Sequence, residues 1–357
     1  MNYLNNKVYV KDLEKAMELT VDIDYLKDQK IMITGATGLL GSFMVDMLLT
    51  YNKKKDANIK VYAVGRSMTR LMERFGAETS SNLIFVEHDV TNDIVFDYHV
   101  DYLIHAASNA YPESFNSDPV GTIMSNIVGT QKLLDYCRSH NAKRFMLVSS
   151  GEIYGIGDVS TEAYTEDYSG YINPTLPRSC YPSSKRAAET LCASYLKQYG
   201  VDTVVVRPCH TYGPNATVKD DRAHVQFVNQ ALNGQDIVLT SAGSQLRSYC
   251  YIADSVSAIF TVLIHGISGE AYNISNSKSR VTIAEFATIV AERGGKRIIF
   301  TNPTAKEMEE RTPITQQVLD STKLEKLGWK GYYSVKCGIN HIFEILGKQQ
   351  LTDDVQD

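Results

Sequence analysis

Tyr181 and Lys185 stand four residues apart at the start of a stretch with helical periodicity, so their side chains share one face of a single turn. An ammonium beside a phenol favours phenolate and lowers a pKa that is ~10 when unperturbed. That would make Tyr181 a proton acceptor at working pH. Upstream, Arg144-Phe-Met-Leu-Val-Ser149-Ser150 reads as a buried strand with hydroxyls at its C-terminal end, the end where doubly wound sheets bind ligands. Hydroxyl, phenol and lysine beside a nicotinamide are what hydride transfer at a sugar carbon requires. Tyr181 would move the hydroxyl proton and Ser150 would hold the oxygen. Lys185 would tune the tyrosine and bond the nicotinamide ribose.

Such chemistry needs a dinucleotide, and Ile31-Met-Ile-Thr-Gly35-Ala-Thr37-Gly38-Leu39-Leu40-Gly41 supplies a place for one. A short apolar run ends at Gly35 and passes through Gly38 and Gly41 into a helical pattern. Strand, glycine turn and helix in that order place unpaired N–H groups against a pyrophosphate. The spacing, G-x-x-G-x-x-G, is one residue longer in its first step than the usual dinucleotide fingerprint. Alone, the turn has a plain strand-to-helix connection as its lesser alternative.

The elements that must position these groups alternate. Strand-like segments at 30–34, 60–65, 83–87, 102–106, 144–149 and 202–207 alternate with helical periodicity at 38–50, 67–75, 120–140 and 181–199. This predicts an α/β fold, a Rossmann-like doubly wound parallel sheet. Beyond about residue 208, turns rich in Gly, Asn, Pro and Ser separate shorter strands (237–240, 249–252, 270–274, 297–300) from further helices. The expected organisation is an N-terminal extension (1–28), a dinucleotide-binding domain (29–207) and a smaller mixed α/β substrate subdomain (208–357), with the ligand cleft between the last two.

Bulk properties narrow the partners. A net charge of -5 over 357 residues gives no electrostatic footprint for nucleic acid or an anionic membrane. No apolar run approaches the ~18 residues of a membrane span, and the first thirty residues lack a signal-peptide core. The six cysteines are scattered without a C-x-x-C pair, so they read as reduced thiols of a cytoplasmic protein with no metal site.

Taken together, these segments resemble an extended short-chain dehydrogenase/reductase of the nucleotide-sugar-modifying NAD-dependent epimerase/dehydratase type, over residues 29–347. The resemblance implies that Gly35, Thr37, Gly38, Leu39, Leu40, Gly41, Arg66, Ser67, Asp89, Val90, Ala106, Ala107, Ser108 and Asn126 hold the cofactor with Tyr181 and Lys185. It places Tyr111, Arg178, His210, Arg222 and Arg247 on the side of a nucleotide-diphosphate sugar. It also implies a homodimer through helices 120–140 and 181–199. Asn173-Pro-Thr-Leu-Pro-Arg178-Ser-Cys-Tyr181 is similar to UDP-glucuronate decarboxylases. Ser149-Ser150-Gly151-Glu152-Ile-Tyr154-Gly155 is similar to the loop of those enzymes and of sugar 4,6-dehydratases. In both, a glutamate at the position of Glu152 acts next to a transient 4-keto group, so decarboxylation or dehydration is expected and 4-epimerisation is the alternative. The bland alternative for Glu152 is a solvated loop carboxylate; for Arg247 and Arg222 it is a surface position.

Three departures bear on this. Gly151 replaces the aspartate of dehydratases and the serine common in decarboxylases. His210 stands where the family usually has asparagine; it either donates to phosphate or packs as a neutral ring. After the second strand, Gly65-Arg66-Ser67 has no acidic residue for the adenosine 2′-hydroxyl, which argues physically for NADP, whereas the relatives imply NAD. An NADPH-dependent 4-ketosugar reductase and a non-catalytic dinucleotide sensor are the alternatives of another class. The presence of both Tyr181 and Lys185 speaks against the sensor.

Overall fold

The computed structural model describes residues 3–158, 160–217, 220–304, 314 and 316–353, with side chains to 347. A first helix, α1 (Lys7–Leu19), precedes an alternation of strands and helices. This comprises β1 (Lys30–Thr34), α2 (Leu39–Lys55), β2 (Lys60–Gly65), α3 (Met68–Phe75), β3 (Leu83–Glu87), β4 (Tyr102–His105), α4 (Pro112–Ser117), α5 (Pro119–Ser139), β5 (Arg144–Val148), α6 (Cys180–Tyr199) and β6 (Thr203–Pro208). The strands are near-continuous apolar runs because helices cover both faces of the sheet. Helix ends follow local chemistry. Ser67 caps α3 by accepting from the Arg70 amide, Asp118 caps α5, which has proline in its first turn, and Gly200 ends α6 in the left-handed region.

The remainder adds β7 (His210–Tyr212), α7 (Ala223–Leu232), β8 (Ile237–Leu239), β9 (Leu246–Tyr251), α8 (Ile252–His265), β10 (Ala271–Ile274), β11 (Arg280–Thr282), α9 (Ile283–Gly294), β12 (Ile298–Phe300), β13 (Gln316–Gln317) and a last helix, Val335–Asp353. The large sheet has seven strands in the order β10-β6-β5-β4-β1-β2-β3, all parallel. Thr34 pairs with Val64 on one side and His105 on the other, so the strand ends open at one edge. The order reverses between β1 and β4, the switch point at which such sheets bind ligands. In the smaller part, β9 is flanked by β11, β13 and β7, and β12 pairs with β8.

The sequence boundary at residue 208 does not divide the chain cleanly. Strand β10, expected in the smaller part, returns to extend the large sheet beside β6, and α8 packs against β6, β10 and α2. The return is forced by burial: α8 carries twelve buried residues and needs an apolar partner on more than one side.

The N-terminal extension is likewise part of the body. Asp12, fully buried on α1, accepts hydrogen bonds from Tyr251 Oη at 2.6 Å and Tyr333 Oη at 2.8 Å, and pairs with His341 Nδ1 at 2.7 Å. Asp12→Ala leaves buried Tyr251 and Tyr333 and half-buried His341 without this acceptor and is expected to cost about 3 kcal/mol, read by denaturant unfolding. Donating to the Asp12 carboxylate raises the His341 pKa above its ordinary value. Its stabilisation is therefore fully present below the unfolded pKa of about 6.5 and lost as pH rises through the higher folded value. The Tm difference between the protein and His341→Gln should shrink over that alkaline step.

Candidate active site

The turn after β1 forms a cradle. Gly35 has φ +71°, and a Cβ there would sit 2.7 Å from the Ala106 carbonyl oxygen. A Cβ at Gly41 would lie 2.2 Å from the Gly35 carbonyl oxygen, so α2 can lie this close to the turn only without a side chain. Gly38, Leu39, Leu40 and Gly41 then present the start of α2 to a cleft that also exposes Ala106 and Ser108. Free N–H groups at a helix start, with no side chain in front of them, suit a pyrophosphate. Gly41→Ala is expected to lower both Tm and the dinucleotide released from purified protein by acid.

Across the same cleft stand Val148, Ser149, Ser150, Gly151, Glu152, Tyr181 and Lys185, around a cavity of about 200 Å³. Ser150 lies just past β5, its Oγ accepting from the Glu152 amide at 3.1 Å while its hydroxyl bonds the Tyr181 phenol. Tyr181 is stacked on Phe115 at a centroid distance of 4.7 Å. Lys185 donates to the Val148 carbonyl at 2.8 Å, with its ammonium 5.9 Å from the Tyr181 ring centre. Burial pushes the lysine pKa down to about 8, against the opposing pull of Glu189. Ser149 and Arg207 hold that glutamate in place.

The expected lowering of the Tyr181 pKa is not what the structure shows. Burial, reinforced by the Glu152 charge, pushes it up to about 12; the Ser150 hydrogen bond, Arg222 and Arg178 pull the other way.

Glu152 is no solvated loop carboxylate. It pairs with Arg178 at 3.2 Å, and that guanidinium lies 4.6 Å over Phe115, so Glu152, Arg178, Phe115 and Tyr181 form one packed group. His210 lines the cleft; among the described residues its buried Nδ1 has no partner, and burial next to Arg247 holds it neutral. Arg222 also lines the cleft, its Nε on Asp220 at 2.8 Å.

Other sequence candidates lie elsewhere. Arg247 is buried outside the cleft wall, its guanidinium on the Leu246 and Ile314 carbonyls at 3.0 and 2.6 Å. Tyr111 is the residue before α4, its carbonyl accepting from the Ser114 amide and hydroxyl. Asn126 is fully buried, accepting from Ser108 and donating to Ser184, each at 2.9 Å, so it ties the end of β4 to α6. Ala107 donates to Thr34. Thr37 is half-buried in the glycine turn. Asp89 and Val90 follow β3, Asp89 bonded to Thr91 and Val90 packed where a Cβ on Gly129 would collide. Exposed Arg66, past β2, reaches Asn109 at 3.4 Å, and Ser67 caps α3. The cleft also holds Cys209, Thr211 and Gln317, which sequence reasoning did not single out. The first two flank His210 in the sequence; no motif marks Gln317.

A switch-point glycine cradle that shares its cleft with Ser150, Tyr181 and Lys185 defines a dinucleotide-dependent enzyme. The model of the NAD dependent epimerase/dehydratase family matches residues 31–275, and the chain belongs to that family. It is 33% identical over 316 residues to UDP-glucuronic acid decarboxylase 5 of Arabidopsis thaliana, covering 87% of each chain. To UDP-glucuronic acid decarboxylase 1 of Xenopus tropicalis it is 30% identical, covering 90% of this chain and 73% of that one. Among solved structures it resembles a dTDP-glucose 4,6-dehydratase from Streptomyces venezuelae with NAD bound (TM-score 0.76, 22% identity, covering 90% of this chain and 98% of that one). It also resembles a UDP-glucose 4-epimerase from Thermotoga maritima with UDP-glucose (TM-score 0.76, 23% identity, covering 90% and 99%). The cofactor is NAD, as the family is NAD-dependent. Among the described residues no helix is long and apolar enough to cross a membrane.

Proposed function

We propose that this chain oxidises the sugar of a nucleotide-diphosphate sugar at C4 and reworks the resulting 4-keto intermediate, as a decarboxylase or dehydratase does. The observation that carries the reading is the convergence of Ser150, Tyr181, Lys185 and Glu152 on the cleft that the glycine cradle opens into. NAD, when bound, supplies the two-electron oxidation and a positive charge that favours phenolate. Tyr181 takes the C4 hydroxyl proton and returns one at the end, while Ser150 fixes the oxygen by hydrogen bonding. Glu152, held by Arg178, is placed to move a proton at the carbon next to the ketone, whose C–H the carbonyl acidifies. A carboxylate on that carbon leads to loss of carbon dioxide; a hydroxymethyl group leads to loss of water.

His210 and Arg222 are the groups on the diphosphate side of the cleft. The names of the relatives support a UDP-sugar. A homodimer through α5 and α6 belongs to the same proposal, supported by exposed Val120 and Met124 on α5; a monomer by light scattering at micromolar concentration would contradict it. Cytoplasmic residence is supported by six free thiols. Incubation with a panel of UDP-, dTDP-, GDP- and CDP-sugars, followed by mass spectrometry, tests the reaction. Loss of 44 or 18 mass units, on the order of one carbon dioxide or one water, separates the outcomes. No oxidation of any sugar would sink the reading.

A further inference from the structure

The turn that carries Ser150 and Glu152 is gripped on both sides by one ion pair behind the cleft wall. Tyr181, Lys185 and Glu189 recur at every fourth position along α6 and so share a face of that helix. The Glu189 carboxylate meets the Arg207 guanidinium of β6, Nη2 to Oε2 at 2.6 Å and Nε to Oε1 at 3.1 Å. The two side chains are only 13% and 11% exposed, and neither lines the cleft. From this pair, bonds run to both ends of the turn. Glu189 accepts from the Ser149 hydroxyl, next to Ser150, and Arg207 Nη1 donates to the Tyr154 hydroxyl at 2.9 Å, just past Glu152. Arg186, also on α6, adds a bond to the Ile153 carbonyl at 2.7 Å. Apolar residues of the same shape are often as stabilising as a buried ion pair, so stability alone does not account for charges here. What a guanidinium–carboxylate fork supplies is a fixed direction for its oxygens and nitrogens.

Lys185 belongs to the same frame. It is 1% exposed and donates to the carbonyl of Val148, the residue before Ser149. The titratable groups around it are Tyr181, Glu189 and Cys192 of α6 and His105 of β4. Burial holds His105 neutral and the Cys192 thiol protonated, so Glu189 supplies the negative charge among these groups.

We propose that Glu189 is a positioning residue: its carboxylate, locked by Arg207, sets the spacing between the turn bearing Ser150 and Glu152 and the helix bearing Tyr181 and Lys185. This rests on the C4-oxidation reading and adds to it the group that keeps the two halves of the site in register.

The test uses Glu189→Asp, Glu189→Gln and Ser149→Ala in the dinucleotide-loaded protein. It reads single-turnover reduction of bound NAD by UDP-glucose, dTDP-glucose and UDP-glucuronate, and amide hydrogen exchange over residues 149–155. Aspartate keeps the charge but is too short to reach Ser149 and Arg207 together. It should slow oxidation by about tenfold to a hundredfold, leave the half-saturating sugar concentration unchanged and speed exchange across the turn. Ser149→Ala frees one end only and should do the same to a smaller degree, with little risk to the fold. Glutamine keeps the shape but not the charge. Burial lowers the Lys185 pKa and Glu189 opposes it, so this variant lowers it further. A limb of the pH–rate profile that reports the Lys185 ammonium then moves to lower pH, whereas Glu189→Asp leaves it in place. Folded Glu189→Asp and Ser149→Ala proteins that oxidise sugar at the parent rate would overturn the proposal and leave C4 oxidation standing. Faster exchange spread over the whole chain, with loss of bound dinucleotide, would overturn it too, because the pair would then only stabilise the fold. A parent protein that oxidises none of the sugars removes the C4 reading; exchange over the turn then judges the grip by itself, and an unchanged turn overturns it.

Discussion

Tyr181→Phe yields a folded protein that still retains its dinucleotide but turns over nucleotide sugar roughly two to four orders of magnitude more slowly. The ring keeps its stacking on Phe115, so packing survives and only the hydroxyl is lost. That hydroxyl is the group hydrogen-bonded to Ser150 and the one available to take the C4 proton. Single-turnover measurements check this, because they remove product release from the comparison. Turnover within a few-fold of the parent protein would show that the proton leaves by another route and would dismantle the assignment. Ser150→Ala should cost less, since it removes the orienting hydrogen bond but leaves the phenol.

Glu152→Gln should separate the two halves of the reaction. Oxidation at C4 does not need the carboxylate, whereas proton movement at the adjacent carbon does. The variant should therefore accumulate a 4-keto sugar that borohydride traps, with final product formed about a hundredfold more slowly. A second consequence has a definite sign. The Glu152 charge helps to push the Tyr181 pKa up, so removing it lowers that pKa. Any limb of the pH–rate profile that reports Tyr181 moves to lower pH. A profile that does not move, together with normal product formation, would leave Glu152 as only the ion-pair partner of Arg178.

Much of this was legible in the sequence because it depends on local pattern. Apolar runs of four to six residues between helical periods placed the first six strands, and glycine spacing placed the cradle. Tyr181 and Lys185 are neighbours by helix geometry alone. What was not legible depends on long-range packing. The four residues of β10 carry no mark of which sheet they join; burial of α8 decides it. Arg247 has the right chemistry for an anion, but its donors are taken by carbonyls of its own neighbourhood. The Tyr181 pKa follows burial, which helix spacing does not report. Gln317 lies on a two-residue strand whose position comes from pairing with β9.

Asp12 also has a consequence for biosynthesis. Its partners Tyr333 and His341 lie 321 and 329 residues further along the chain. On the ribosome α1 emerges first, but the groups that neutralise its buried carboxylate are made last. Loop closure over such distances is slow relative to local structure, so α1 can pack on α2 and α8 before its buried carboxylate meets Tyr333 and His341. Docking of the two ends then acts as a late proofreading step, completed only when translation has reached the closing helix.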